Sequence, residues 1–109
     1  AFRIPTSDVS VVDLTAELNN ESDYDAICAA MKSASEGSMN GVLGYTDETV
    51  VSSDFVGSRF AGIVDAGATI ANGKKAVLYV WYDNEFGYSC QVIRCVQNMA
   101  GVHHPAYPK

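Results

Sequence analysis

Asn84 and Arg3 are the residues of this 109-residue chain whose types and settings come nearest to ligand chemistry. Asn84 stands in Trp81-Tyr82-Asp83-Asn84-Glu85-Phe86-Gly87-Tyr88-Ser89, where an apolar run gives way to a helical pattern. Its side-chain amide donates through nitrogen and accepts through oxygen, so it can pair reciprocally with another primary carboxamide. Asn and Asp are also preferred helix N-caps, and on local grounds a capping role is the stronger reading of Asn84. Arg3 lies in a short strand-like segment, where a guanidinium can hold a phosphate through two parallel hydrogen bonds that lysine does not reproduce. A surface ion pair with a carboxylate such as Asp8 competes with that role, and locally it is the stronger reading. Tyr88 could pack against a flat ligand, but its place on an apolar helix stripe reads first as core.

The remaining reactive side chains read as structural. Cys28, Cys90 and Cys95 have no C-x-x-C spacing, and Cys90 and Cys95, five residues apart, fall on different faces of a helix. Each reads as a small buried apolar residue, in keeping with a reducing, cytoplasmic compartment. His103 and His104 sit in a tail with two prolines, which offers no rigid seat for a general base. There is no glycine-rich dinucleotide fingerprint, P-loop, H-E-x-x-H or zinc-like Cys/His spacing. No metal site and no catalytic residue is expected here, and the 109 residues do not contain a complete active site.

Composition narrows the partners. The chain is 48% hydrophobic and 18% charged, with a formal net charge of −6, which suits a folded globular domain. Seven scattered Lys and Arg residues form no stripe, so nucleic acid is not an expected partner. No apolar run approaches the ~20 residues of a membrane span.

These residues need elements to hold them. Phe2 to Thr6 alternates and carries Pro5, the pattern of a short strand at a sheet edge. Val9 to Leu18 reads as a strand, with Val12, Leu14, Ala16 and Leu18 on one face. A helix follows, capped by Ser22 with Asp25 three residues on as a weaker capping-box acid, with Tyr24, Ile27, Cys28 and Met31 in one stripe and Gly37 at its end. It should lie on the apolar face of a sheet. Gly41 to Tyr45 is short and glycine-flanked, and Val50 to Phe55 fits a brief strand or a turn. Phe60 to Val64 and Ala68 to Ala71 read as two strands. Asn72-Gly73 then signals a hairpin with both residues at positive φ, returning into Lys75 to Tyr82 as a central strand. A second helix from about Glu85 to Met99 carries Tyr88, Val92, Cys95, Val96 and Met99 in a stripe widened by Phe86, Cys90 and Ile93. A band that broad calls for packing against more protein than this chain provides.

Several stretches, in order, resemble phosphorylating glyceraldehyde-3-phosphate dehydrogenases. They are Ala1-Phe2-Arg3-Ile4-Pro5-Thr6 with Val9-Ser10-Val11-Val12-Asp13-Leu14-Thr15, then Ala34-Ser35-Glu36-Gly37, Gly44-Tyr45-Thr46, Val50-Val51-Ser52-Ser53-Asp54-Phe55 and the stretch around Asn84. Similarity spans the chain except its His-His tail; Gly57 to Asp65 is less like the family than its flanks, and the tail from Val102 runs beyond the family's usual short ending.

The resemblance implies the fold, the parent activity and the roles of particular residues. The fold is α+β: a mostly antiparallel sheet with one helix on a face and a C-terminal helix. Residues 1–83 would be the C-terminal part of the catalytic domain, and 84–109 a terminal helix and tail packing on a nucleotide-binding domain. The parent enzyme would oxidise glyceraldehyde 3-phosphate to 1,3-bisphosphoglycerate with NAD and phosphate, through a cysteine thioester. Arg3 would bind the substrate phosphate, Asn84 the nicotinamide carboxamide, and Tyr88 would lie near the nicotinamide. The nucleophilic cysteine in its S-C-T-T-N setting and its partner histidine have no counterpart here, so the isolated 109 residues are expected to be inactive. The family implies a homotetramer in the cytoplasm. Two alternatives stay open: an erythrose-4-phosphate dehydrogenase, or a non-catalytic module that assembles with itself.

Overall fold

A computed structural model describes residues 5–102. The order is β1 (Ser10–Glu17), α1 (Tyr24–Glu36), β2 (Leu43–Thr46), a 3-10 turn (Ser52–Phe55), β3 (Gly62–Asn72), β4 (Lys75–Tyr82) and α2 (Phe86–Met99). The four strands form one sheet in the order β1-β4-β3-β2. β4 is central, antiparallel to β1 from Ser10↔Tyr82 to Glu17↔Lys75, and antiparallel to β3. Only β2 runs parallel to its neighbour, pairing Leu43↔Gly62 through Thr46↔Asp65. The α+β, mostly antiparallel architecture is as the sequence implies.

α1 lies across β2 and β3. Ile27 meets Ala76 and Leu78 in the core, with Leu18, Met31, Ala71 and Val80 packed around them. Burial of these side chains, at about 25 cal/mol per Å² of apolar surface, holds the helix to the sheet. Tyr24 adds a polar anchor, its hydroxyl donating to the Ala66 carbonyl at 2.7 Å. The helix does not reach over β1, so Val12 and Leu14, on the predicted apolar face, remain 42% and 46% exposed.

Four local expectations need correction. Asp23, not Ser22, caps α1: its carboxylate accepts the Ala26 N–H at 2.7 Å, while the Ser22 N–H is donated to the Gly73 carbonyl. Asp25 therefore lies inside the first turn instead of closing a capping box with Ser22. The two strands expected over 60–64 and 68–71 are one, β3, broken in register between Asp65 and Ile70. There the Asp65 carboxylate accepts the Gly67 N–H at 3.0 Å and the Thr69 hydroxyl donates to the Asp65 carbonyl at 2.8 Å, so the irregular stretch satisfies its own polar groups. The hairpin turns one residue later than expected. Asn72 pairs with Lys75, leaving Gly73 and Lys74 as the loop, and only Gly73 has positive φ, at +60°. A glycine in the first central position is the pattern of a II′ turn.

The segment that fitted either a strand or a turn is the 3-10 turn, whose Asp54 carboxylate accepts the Val51 N–H at 2.8 Å. The expected first strand falls mostly outside the described residues, and Pro5 and Thr6 are in no strand.

Candidate functional site

The exit from β4 is built around Asp83. This carboxylate is only 1% exposed. One oxygen accepts the N–H groups of Glu85 (3.0 Å) and Phe86 (2.8 Å), and the other accepts the Gly57 N–H at 2.9 Å. Asp83 thus supplies the cap that the first turn of α2 needs, and it ties that turn to the loop before β3. Burial works to raise its pKa. Hydrogen bonds from Gly57 and Phe86, from the Asp8 side chain and from Glu85 outweigh burial and hold the group below its ordinary 3.8.

With the cap made by Asp83, Asn84 is left exposed on the turn, and among the described residues no hydrogen bond engages its side-chain amide. The local preference for a capping Asn84 is therefore corrected: Asp83, of the same side-chain length but one position earlier, accepts the N–H groups of Glu85 and Phe86 instead. Tyr88, which its apolar stripe places in a core, is instead 70% exposed on the first turn of α2. The rest of the stripe is uncovered too. Val96 and Met99 are 55% and 86% exposed, and Phe86, Val92 and Ile93 also face solvent.

Loop 57–60 buttresses the turn at two further points. Gln91 donates through its side-chain nitrogen to the Arg59 carbonyl at 2.9 Å. Gly87 lies so close to the loop that a Cβ there would stand 2.8 Å from the Phe60 carbonyl oxygen, which only glycine accommodates. Behind the turn, Trp81 stacks on Phe55 with centroids 5.6 Å apart and donates its indole N–H to Asp65 at 3.0 Å. Just before Ser10, which pairs with Tyr82, stands Val9, 6% exposed and at φ +67°, with its N–H bonded to the Asp8 carboxylate at 2.7 Å. Holding a β-branched residue there is costly, and such strain gathers beside functional sites.

Arg3, the residue expected to bind phosphate, lies outside the described residues, as do His103 and His104. Of the three cysteines, Cys28 is buried as expected, whereas Cys90 is half-buried and Cys95 exposed because nothing among the described residues covers that face of α2. Among the described residues no Cys, His, Asp or Glu group could hold a metal ion. A cleft of about 390 Å³ lies between α1 and β2 beside Lys32, Glu36, Tyr45 and Asp47, away from Asn84. Sequence reasoning saw Asp83 only as a cap and gave Gly57 no role at the site. The adjacent Asp-Asn pair carried the signal, since only one of them could cap the helix.

The glyceraldehyde 3-phosphate dehydrogenase C-terminal domain family matches residues 1–84. The chain belongs to this family. It is 58% identical over 101 residues to cytosolic glyceraldehyde-3-phosphate dehydrogenase of Craterostigma plantagineum, 92% of this chain and 30% of the relative. It is 55% identical over the same shares to glyceraldehyde-3-phosphate dehydrogenase 1 of Saccharomyces cerevisiae. To the Schistosoma mansoni enzyme it is 52% identical over 105 residues, 95% of this chain and 31% of that protein. The chain thus spans about 30% of the length of the relatives it matches. The family match ends at Asn84, so α2 lies beyond it.

Proposed function

We propose that this chain supplies the substrate-phosphate and nicotinamide contacts of an NAD-dependent, phosphorylating glyceraldehyde-3-phosphate dehydrogenase. The enzyme oxidises glyceraldehyde 3-phosphate to 1,3-bisphosphoglycerate with inorganic phosphate, through a thioester on a cysteine outside these residues. Family membership supports the reaction class. The observation that carries the site is Asn84, an exposed primary amide left without a capping duty because Asp83 takes it.

NAD, when bound, supplies the hydride acceptor, and the protein's part is to orient it. Asn84 would do so by donating to and accepting from the nicotinamide carboxamide, which selects the ring face presented to substrate. Tyr88, exposed one turn into α2, would line the same region. Arg3 would hold the C3 phosphate in a bidentate pair. None of the three exchanges protons or electrons with substrate, so the 109 residues alone are inactive in this reading.

The exposed stripe of α2 supports packing of residues 84–109 against a nucleotide-binding domain. As in cytosolic relatives, the enzyme would be cytosolic, and it would assemble as a homotetramer. In the intact enzyme, Asn84→Ala should raise KM for NAD and lower kcat, each by about tenfold, the effect of one lost orienting hydrogen bond. Arg3→Ala should raise KM for glyceraldehyde 3-phosphate. Unchanged NAD kinetics would overturn the first role, and unchanged KM and kcat for the aldehyde the second.

A further inference from the structure

We propose that Asp83 is a positioning residue for Asn84, holding the amide in register with loop 57–60 so that turn and loop behave as one rigid unit. The inference rests on the nicotinamide-contact reading of Asn84 and deepens it.

The geometry is specific. Asp83 and the N–H groups of Glu85 and Phe86 bracket Asn84 on both sides: the carboxylate bonds reach across Asn84, and the Asp83 carbonyl accepts the Gly87 N–H at 3.0 Å. A carboxylate bonded to backbone two residues on forms an Asx-turn, which fixes the dihedrals of the intervening residue. The direction of the Asn84 side chain from the backbone is therefore set by Asp83.

The second carboxylate oxygen gives Asp83 a task that capping does not explain. It reaches 26 residues back in sequence to the Gly57 N–H at 2.9 Å. Capping alone is within the scope of Ser or Asn, whereas joining the two segments needs an acceptor on each side. Gly87 and Gln91 close the same joint against Phe60 and Arg59, so a shift of the loop is transmitted to the turn. The loop belongs to Gly57–Asp65, which resembles the family less closely than its flanks do. In this arrangement the stretch reaches the proposed cofactor contact through the buried Asp83 carboxylate, with Gly87 and Gln91 beside it. A misplacement of about 1 Å in an orienting group is enough to cost a large part of the rate.

The test compares Asp83→Asn, Asp83→Ser and Asn84→Ala in the intact enzyme. Serine keeps an acceptor for the helix cap but has no second oxygen for Gly57. Asparagine keeps the shape and presents an NH2 to one of the N–H groups. Measured quantities are KM for NAD, kcat, KM for the aldehyde, the stereochemistry of deuteride delivery from deuterated aldehyde to NAD, and melting temperature.

The expected result is that Asp83→Ser reproduces the direction of Asn84→Ala. Deuterium would appear on the wrong ring face and kcat would fall by about tenfold, while KM for the aldehyde is unchanged. Asp83→Asn should show the same signature even if its melting temperature falls further. The inference is overturned if both Asp83 variants melt lower yet keep wild-type stereochemistry and kcat while Asn84→Ala loses them, for Asp83 is then only structural. If Asn84→Ala itself leaves stereochemistry and NAD kinetics intact, the nicotinamide reading fails and the inference falls with it. Should one Asp83 variant not fold, the other decides on the same readouts.

Discussion

A buried carboxylate whose pKa lies below 3.8 makes stability depend on pH in one direction. Asp83 is charged in the folded state where its unfolded counterpart has begun to take up protons. Its contribution is thus complete above about pH 4 and is lost as pH falls through the lower, folded value. Tyr45 acts at the other end of the scale. Burial, then the neighbouring Cys28, push its hydroxyl up to about 12 from 10.0, so the folded state keeps a proton that the unfolded chain releases. Stability should therefore be level through neutrality, decline below pH 4 and decline again between pH 10 and 12. Urea melts across pH would check this, and Asp83→Asn should flatten the acid limb. An acid limb unchanged in that variant would contradict the assignment to Asp83.

At the scale of elements, capping separates what the sequence showed from what it hid. Asp23→Ala should cost about 1 kcal/mol, the usual worth of an N-cap, whereas Ser22→Ala should change stability by less than about 0.5 kcal/mol. Chemical denaturation of the two variants distinguishes them, and the reverse order would mean that Ser22 caps α1 in solution. The sequence identified α1, the central place of β4 and the extent of α2, because periods of 3.6 and 2 and runs of apolar residues survive without knowledge of tertiary contacts. It missed the choice between adjacent capping residues, which turns on the path of the chain entering the helix. It also missed the continuity of β3, because the bulge at Asp65 interrupts the period of two and its compensating bonds come from side chains. The site was half legible. Asn84 stood out by type, but its release from capping depends on Asp83 reaching the backbone first, and the bond from Asp83 to Gly57 joins segments that no local pattern connects.

Across the whole molecule, the exposed stripe on α2 is the largest departure from a self-contained fold. Phe86, Val92, Ile93, Val96 and Met99 all lie open on one helix, and a contiguous apolar face of this kind marks a contact surface. If α2 docks on a nucleotide-binding domain, Val96→Glu should destabilise the intact enzyme by several kcal/mol, about the cost of burying an unpaired charge that must neutralise or be exposed. In the isolated chain the same change meets water and should shift stability by less than about 0.5 kcal/mol. Parallel thermal and urea melts of the two forms give the comparison, and equal effects would place the stripe outside any domain contact.

The central claim is that Asn84 pairs with the nicotinamide carboxamide, and cofactor discrimination tests it most directly. Replacing the carboxamide by an acetyl group removes the donor that an asparagine oxygen would accept, while leaving the ring and the rest of the dinucleotide unchanged. Measuring kcat/KM for NAD and for the acetylpyridine analogue, in wild-type enzyme and in Asn84→Ala, isolates that pairing as a coupling between two small deletions. The account predicts that the wild-type enzyme's ratio of kcat/KM for the two cofactors shifts by about tenfold in Asn84→Ala, as discrimination through the missing donor is lost. An identical ratio in both enzymes would contradict it.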